Sequence, residues 1–272
     1  MSRERTSSKR RKRTRSGKST GKVYEHTLIF VIRDVHGYID RLRQVLELAG
    51  AEGANVLDIG GDFTNFGDRS TLEDVLASIP SDRSVVVVHG NHDPPDLVET
   101  VPRYLHGTAR SIRGLWFLGL GGSNPIGFFP AEHTEEDLAG LLTGGLEKVP
   151  NDAPLVVVSH VPPHEVHDYV PFVARHVGST ALRQFIAERR PMLVTCGHIH
   201  ESFGWTAFHI TKKGLKDVET GTSVRIGKEA DTVVINAGSL RDRRYGVVLI
   251  ERTAEGIRVT PEVRLLPDDG RF

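Results

Sequence analysis

Five short apolar runs in this chain each lead into a glycine-containing or proline-containing cluster of Asp, Asn or His, and this repetition constrains the fold more than any other feature. Leu28–Ile32 (LIFVI) leads into Asp34-Val35-His36-Gly37, and Val56–Ile59 into Gly60-Gly61-Asp62. Ser84–Val88 (SVVVV) leads into His89-Gly90-Asn91-His92-Asp93, and Leu155–Val158 (LVVV) into Ser159-His160-Val161-Pro162-Pro163. Met192–Thr195 leads into Gly197-His198-Ile199-His200. Continuous apolar runs of this length suit strands covered on both faces. Ligands of open α/β sheets bind beyond the carboxyl ends of the strands. The five clusters are therefore expected along one edge.

Helical patterns alternate with these runs. Between Tyr38 and Ala49, the residues Ile39, Leu42, Val45, Leu46 and Ala49 fall on one helical face, and Gly50 supplies a stop. A second helix is expected from Thr71, with Ser70 and Glu73 as a capping box. Helices are also expected over Glu135–Leu146 and Ala181–Arg190. Further strands are expected at Leu115–Leu118, Val233–Ile235, Tyr245–Glu251 and Ile257–Leu265, the last two as an antiparallel hairpin. The class is α/β, with sheet covered by helices on both faces. Residues 208–229, rich in Lys, Gly and Thr, fit no helix and are expected to be an inserted loop or hairpin.

Charge divides the chain unevenly. Residues 1–22 carry 10 Lys/Arg and one acidic residue, Glu4, which leaves the remainder with 25 basic and 34 acidic residues. A polar, basic arm cannot bury enough surface to fold alone, so 1–22 is expected to be disordered and 23–272 to form the folded domain. The arm is a candidate contact for nucleic acid or another anionic surface, or else a solvated tail. Its Gly17-Lys18-Ser19-Thr20 lacks the glycine and preceding strand that a phosphate-binding P-loop needs. No apolar run is long enough to span a bilayer, and no signal-peptide core is present. Cys196 is the lone cysteine, so no intrachain disulfide can form. The expectation is a cytoplasmic protein without membrane partners.

Alternate residues of an extended segment point the same way. Asp34 with His36, and His198 with His200, are thus spaced to grip one ion or two adjacent ions. Imidazole and carboxylate donors suit Mn, Fe, Zn, Co or Ni, and two such ions about 3.5–4 Å apart clamp the attacking and leaving oxygens of a phosphoryl group.

The ordered blocks D-x-H, G-D, G-N-H-D, a later single His and G-H-x-H resemble the calcineurin-like metallophosphoesterases over roughly Leu28 to Leu240. Gly61–Gly67 and Gly121-Gly122-Ser123-Asn124-Pro125 look most similar to small prokaryotic, especially archaeal, members. The resemblance implies a two-sheet β-sandwich flanked by helices, an α/β/β/α arrangement in four layers. It also implies two divalent metal ions, one held by Asp34, His36, Asp62 and His200, the other by Asp62, Asn91, His160 and His198. Asp62 would bridge, His92 would act as general acid or phosphate donor, and a hydroxide bridging the metals would attack phosphorus. Asn65, Asn124, His164 and His167 are candidate pocket-lining residues.

Two departures from the family pattern stand out. Ala237 replaces a frequent Pro, a change expected to be tolerated. Asn65 stands where the protein Ser/Thr phosphatase branch has an Asp paired with the catalytic His. An amide cannot raise a histidine pKa as a carboxylate does, which favours phosphodiesters or small phosphomonoesters, diesters first, over phosphoproteins as substrates. The alternatives are a nuclease of the same superfamily, which the acidic body disfavours, and an inactive binding scaffold, which the complete set of seven cage residues disfavours. Eight histidines fall outside the cage and the general-acid position: His26, His89, His106, His133, His164, His167, His176 and His209. Most are expected to be surface or packing residues. Cys196 is expected to be a small buried residue and Asp93 a loop brace.

Overall fold

The computed structural model describes residues 23–267 except 126 and 128. The arm expected at 1–22 lies outside the described residues. The chain enters through β1 (Val23–Arg33), α1 (Ile39–Ala51), β2 (Val56–Gly60), α2 (Arg69–Ser78) and β3 (Val85–Val88). A single helical turn, α3 (Pro95–Val98), precedes β4 (Thr108–Ile112), β5 (Leu115–Leu120), α4 (Glu135–Gly145) and β6 (Leu155–Ser159). The short hairpin β7 (Tyr169–Val170) and β8 (Arg175–His176) leads to α5 (Thr180–Arg189) and β9 (Leu193–Cys196). Then follow β10 (Gly204–Thr211), β11 (Gly214–Val218), β12 (Val224–Arg225), β13 (Thr232–Asn236), β14 (Arg244–Thr253) and β15 (Gly256–Leu265).

Apart from the β7–β8 pair, these strands form two mixed sheets. One runs β12-β15-β14-β1-β2-β3 and the other β11-β10-β13-β9-β6-β5-β4. Alternation along β1 shows why they stack. Ile29 and Val31 point into the apolar layer between the sheets, with Val86, Val88, Phe117, Val156, Val158 and Ile235. Phe30 and Ile32 point outward, under Leu42, Val45 and Ala49 of α1 and Leu72 and Val75 of α2. On the far side, Leu138 and Leu142 of α4 and Leu182, Phe185 and Ile186 of α5 cover Leu118, Leu120, Val157 and Val194. A strand sandwiched in this way has no solvent face, which accounts for its unbroken apolar sequence. Each large apolar side chain buried here contributes about 1.5–3 kcal/mol. The architecture is the four-layer α/β/β/α sandwich, with the predicted α/β covering divided between two sheets.

Several boundaries differ from the sequence reading. Gly50 lies inside α1, and Gly53, at φ +71°, makes the left-handed turn that follows the helix. The N-cap of α2 is Asp68, whose carboxylate accepts from the Ser70 N–H, so Ser70 is not the cap. Asp68 offers a charged acceptor at the helix N-terminus, where a carboxylate is favoured. The segment 208–229 is built into both sheets. β10 and β11 pair as a hairpin from Ala207↔Val218 to Thr211↔Gly214, and β12 pairs with β15. Among the described residues, no helix is long and apolar enough to cross a membrane.

A buried ion pair ties the two sheets together. Arg33, at the end of β1, lies 2.8 Å from Asp58 of β2, both fully buried. Thr195 of β9, in the other sheet, accepts from Arg33 at 2.8 Å and donates to Asp58 at 2.6 Å. Burial pushes the Asp58 carboxyl up, and the neighbouring guanidinium opposes that shift.

Candidate metal centre

The parallel strands of both sheets end at one edge, and the five clusters meet there. β1 delivers Asp34 and His36, β2 delivers Asp62, β3 delivers Asn91 and His92, β6 delivers His160, and β9 delivers His198 and His200. Donor atoms fall into two groups, Asp34 with His36 and His200, and Asp62 with His160 and His198. Within each group the donor atoms lie within 4.8 Å of one another. Asp62 faces both groups, with Oδ2 3.9 Å from His36 Nε2 and Oδ1 3.5 Å from His160 Nε2. Asn91 Oδ1 is 2.8 Å from His160 Nε2.

Close packing of backbone makes this convergence possible. A Cβ at Gly90 would sit 2.0 Å from the Asp62 amide nitrogen and from Asp62 Oδ1. One at Gly61, where φ is +72°, would sit 2.2 Å from His160 Nδ1. Asp34, His36 and His198 all adopt left-handed backbone, at φ +53°, +47° and +68°. Such conformations cost about 1–3 kcal/mol each and persist where surrounding structure enforces them. Here Asp34 Oδ2 accepts the His198 N–H at 2.9 Å, and the Asp34 carbonyl accepts from Ser239 Oγ at 3.0 Å. Asn236 braces the G-H-I-H turn by donating to the Ile199 carbonyl at 2.9 Å.

The electrostatics suit a cation. Burial, with Asp34 and Asp93 nearby, holds the Asp62 carboxyl well above the usual range. Burial lowers His36 and His160, and lowers His198 to about 3, so the imidazoles are neutral. Buried Asp34 Oδ1, His36 Nε2, His160 Nδ1 and His198 Nε2 have no hydrogen-bond partner. Crowded carboxylates, neutral imidazoles and unpartnered nitrogens are what divalent ions relieve. The residues present fit such ions.

Around this centre opens a cleft of about 850 Å³. Asn65, Asn124, His164 and His92 line it. His167 does not line this cleft. Its ring lies 3.1 Å from the Ser202 carbonyl and 3.1 Å from Thr206 Oγ1, and packs behind the G-H-I-H turn. His92 Nδ1 accepts the Phe66 N–H at 3.2 Å, which leaves the proton of the neutral ring on Nε2, 3.8 Å from Asp62 Oδ2. Burial and the neighbouring His36 and His200 lower His92 to about 4. Asn65 turns to His36, with Oδ1 2.9 Å from Nδ1.

Sequence reasoning missed Phe66, Phe129, Arg175 and Arg241, which also line the cleft. Phe66 is 79% exposed, and Phe129 stacks on His92 at 4.3 Å. Left-handed backbone at so bulky a residue as Phe66, φ +53°, marks the loop, but a φ angle leaves no signature in the sequence. Asp93 and Cys196 match their expectations. Asp93 accepts the Gly90, Phe63 and Thr64 N–H groups, and Cys196 is fully buried.

Comparison with known proteins agrees with this geometry. The chain is 29% identical to an uncharacterized protein of Methanocaldococcus jannaschii over 189 residues, 66% of this chain and 83% of that protein. A crystal structure of a Thermus thermophilus protein covers 89% of this chain and 99% of its own, with TM-score 0.59 at 16% identity. A purple acid phosphatase from yellow lupin seeds covers 89% of this chain and 52% of its own, with TM-score 0.54 at 12% identity. At those identities the two structures speak for the fold alone. The family description that matches residues 27–202 is "Calcineurin-like phosphoesterase". With that match spanning well over half its length, the chain belongs to the calcineurin-like phosphoesterase family.

Proposed function

We propose that this protein is a divalent-metal-dependent hydrolase of small phosphate esters, with phosphodiesters favoured. The observation that carries the reading is the position of Asp62, whose two oxygens face two separate groups of donors. Asp34, His36 and His200 would hold one ion, and Asn91, His160 and His198 the other, with Asp62 shared. Ions so held would polarise the phosphoryl group and acidify water to a nucleophile.

The chain's own residues have three tasks. The cage side chains fix the geometry. The Nε2–H of His92 points toward Asp62 and is placed to donate to a phosphate oxygen or to the departing oxygen. Arg241, whose charge reaches His36, and Arg175 line the cleft together with Glu135 and Glu201. Such a balanced rim gives a dianionic monoester no net advantage, and the open volume leaves room for the second substituent of a diester. The exposed Phe66, with Phe129 and His92, offers an aromatic surface for an aryl or nucleobase group.

The test is turnover of chromogenic mono- and diesters, cyclic nucleotides and single-stranded nucleic acid by chelated and metal-reconstituted protein. Metal-dependent turnover that favours diesters, and that Asp62→Ala abolishes together with bound metal, is the expected result. An Asp62→Ala variant that keeps its metal and its rate would overturn the assignment. Faster turnover of nucleic acid than of small diesters would favour the nuclease reading.

A further inference from the structure

A second histidine cluster lies outside the cleft. His89 follows β3, His106 precedes β4, and His133 precedes α4. From sequence these three read as isolated surface or packing residues. In the fold, one donor atom from each comes within 4.8 Å of the others. The ring centroids of His89 and His106 are 4.8 Å apart, and those of His106 and His133 5.2 Å. His89 is 1% exposed.

Two features distinguish this cluster from ordinary packing. First, Nε2 of His89 and Nε2 of His133 are both buried without a hydrogen-bond partner. Two adjacent imidazoles, each with an unsatisfied nitrogen, are destabilising unless something binds between them. Second, the walls are shaped to the rings. A Cβ at Gly121 would lie 2.3 Å from His89 Nδ1, and one at Gly122 would lie 2.7 Å from His133 Cδ2. On the outer side of His89, Nδ1 is 2.8 Å from the Tyr104 hydroxyl. With the proton on Nδ1 donated to that oxygen, Nε2 presents its lone pair to the cluster, as second-sphere partners of metal-bound histidines arrange.

We propose that His89, His106 and His133 form a mononuclear site for an imidazole-preferring divalent ion of the zinc class, separate from the centre in the cleft. Three neutral imidazoles with an open fourth position are an established donor set for zinc. Zinc–nitrogen bonds of about 2.0–2.1 Å bring ligand nitrogens to about 3.3 Å from one another, so donor atoms that lie within 4.8 Å of one another close in by up to about 1.5 Å on binding. His106 undergoes the larger change. Its Nδ1 accepts the Gly121 N–H at 3.1 Å, which places the ring proton on Nε2. Ligation turns that ring and releases the contact. The His89 carbonyl accepts the Gly122 N–H at 2.9 Å. An ion here would therefore join the loop that carries Asn91 and His92 to the segments that precede β4 and α4.

The test uses the full chain in a cage-disabled background, His36→Ala/Asp62→Ala/His198→Ala, so that the two centres are read separately. Chelated protein is titrated with Co²⁺ and Zn²⁺. The expected result is one equivalent of Co²⁺ with the intense visible absorption of a tetrahedral site, and a rise in Tm of about 5–10 °C with saturating Zn²⁺. His106→Gln/His133→Gln in the same background should abolish both. No tetrahedral Co²⁺ signal in the folded cage-disabled protein, or a signal that survives the double substitution, overturns the proposal. If the cage-disabled chain does not fold, elemental analysis replaces the titration. His106→Gln/His133→Gln in the otherwise native chain must then lose one zinc equivalent relative to the parent, and equal metal content in the two overturns the site. Failure of the cleft assignment would show instead in the Asp62→Ala single variant.

Discussion

Oδ1 of Asn65 lies 2.9 Å from Nδ1 of His36, so the amide oxygen receives the ring N–H and the Nε2 lone pair of His36 turns toward Asp62 and His200. Asn65 thereby orients a cage residue, while the backbone N–H of Phe66 supports His92. Outer partners of this kind are worth about 10–100-fold in metal affinity. Asn65→Leu should weaken activating-metal affinity by that factor, with little change in rate at saturating metal. Asn65→Asp, which places a full charge on the same nitrogen, should restore or tighten binding. Metal-activation curves for the three proteins check this, and an unchanged midpoint in Asn65→Leu would remove Asn65 from the support of His36.

Gly90→Ala should be more damaging than its single methyl group suggests. The added Cβ would meet the Asp62 backbone and carboxylate at 2.0 Å, and neither is the free end of a flexible side chain. Asp62 must move, and it is the carboxylate shared by both donor groups. The expected outcome is a folded protein that binds less than one metal per chain and loses at least about 10²-fold in rate, in keeping with the cost of about 1 Å misplacements. Circular dichroism with elemental analysis separates this from simple unfolding.

How far the sequence reached follows from what it encodes locally. Buried strands were legible because a strand with no solvent face must be apolar throughout, as in Val85–Val88 and Leu155–Val158. The convergence of these Asp, Asn and His side chains was legible because each lies within a few residues of such a strand. The division into two sheets was not readable from alternation, since β1 and β6 look alike in sequence and only the pairing register assigns them to different sheets. Residues whose roles depend on distant partners were also hidden. Arg33 meets Thr195 across 162 positions, and His89, His106 and His133 lie in three separate loops. His167 failed for the opposite reason. It sits close in sequence to the His160 loop, yet its ring turns away to Ser202 and Thr206.

Acid should destabilise the metal-free protein through the second histidine cluster. Burial and the adjacent His133 lower His106 to about 4, and burial also lowers His133. Between the unfolded value of about 6.5 and the folded value of about 4, the unfolded chain takes up a proton that the folded chain refuses. Stability therefore falls as pH drops through that window, by at most about 3 kcal/mol for a shift of this size. Urea unfolding of chelated protein at pH 7 and pH 4.5 should show a smaller loss for His106→Gln than for the parent. Equal losses would mean that His106 is not held neutral by the fold.

The Arg33–Asp58 pair predicts an asymmetric double-mutant cycle. Asp58→Ala leaves a fully buried guanidinium without its counter-charge, and such truncations cost about 3–5 kcal/mol. Arg33→Met/Asp58→Ala removes both charges and should be more stable than Asp58→Ala alone. Urea midpoints for the single and double variants check the order, and strict additivity would show that the two side chains do not interact.

His92→Ala should harm substrates with poor leaving groups far more than those with good ones. His92 Nδ1 is occupied by the Phe66 N–H, so the ring offers its Nε2–H to the cleft, 3.8 Å from Asp62 Oδ2. In the proposed mechanism the nucleophile is supplied without this ring. What remains for His92 is to donate to an oxygen that gains charge, a contribution of about 10²–10⁴-fold for proton transfer to the leaving group. A nitrophenolate departs readily without a proton, whereas an alkoxide such as a ribose oxygen does not. With metal saturating and metal content equal in both preparations, the alkyl ester should lose about 10²-fold or more beyond the loss on the nitrophenyl ester. Equal losses on the two would leave His92 only an orienting contact to phosphate. Loss of metal from the variant would place it in the cage, and the division of donors around Asp62 would then need to be redrawn.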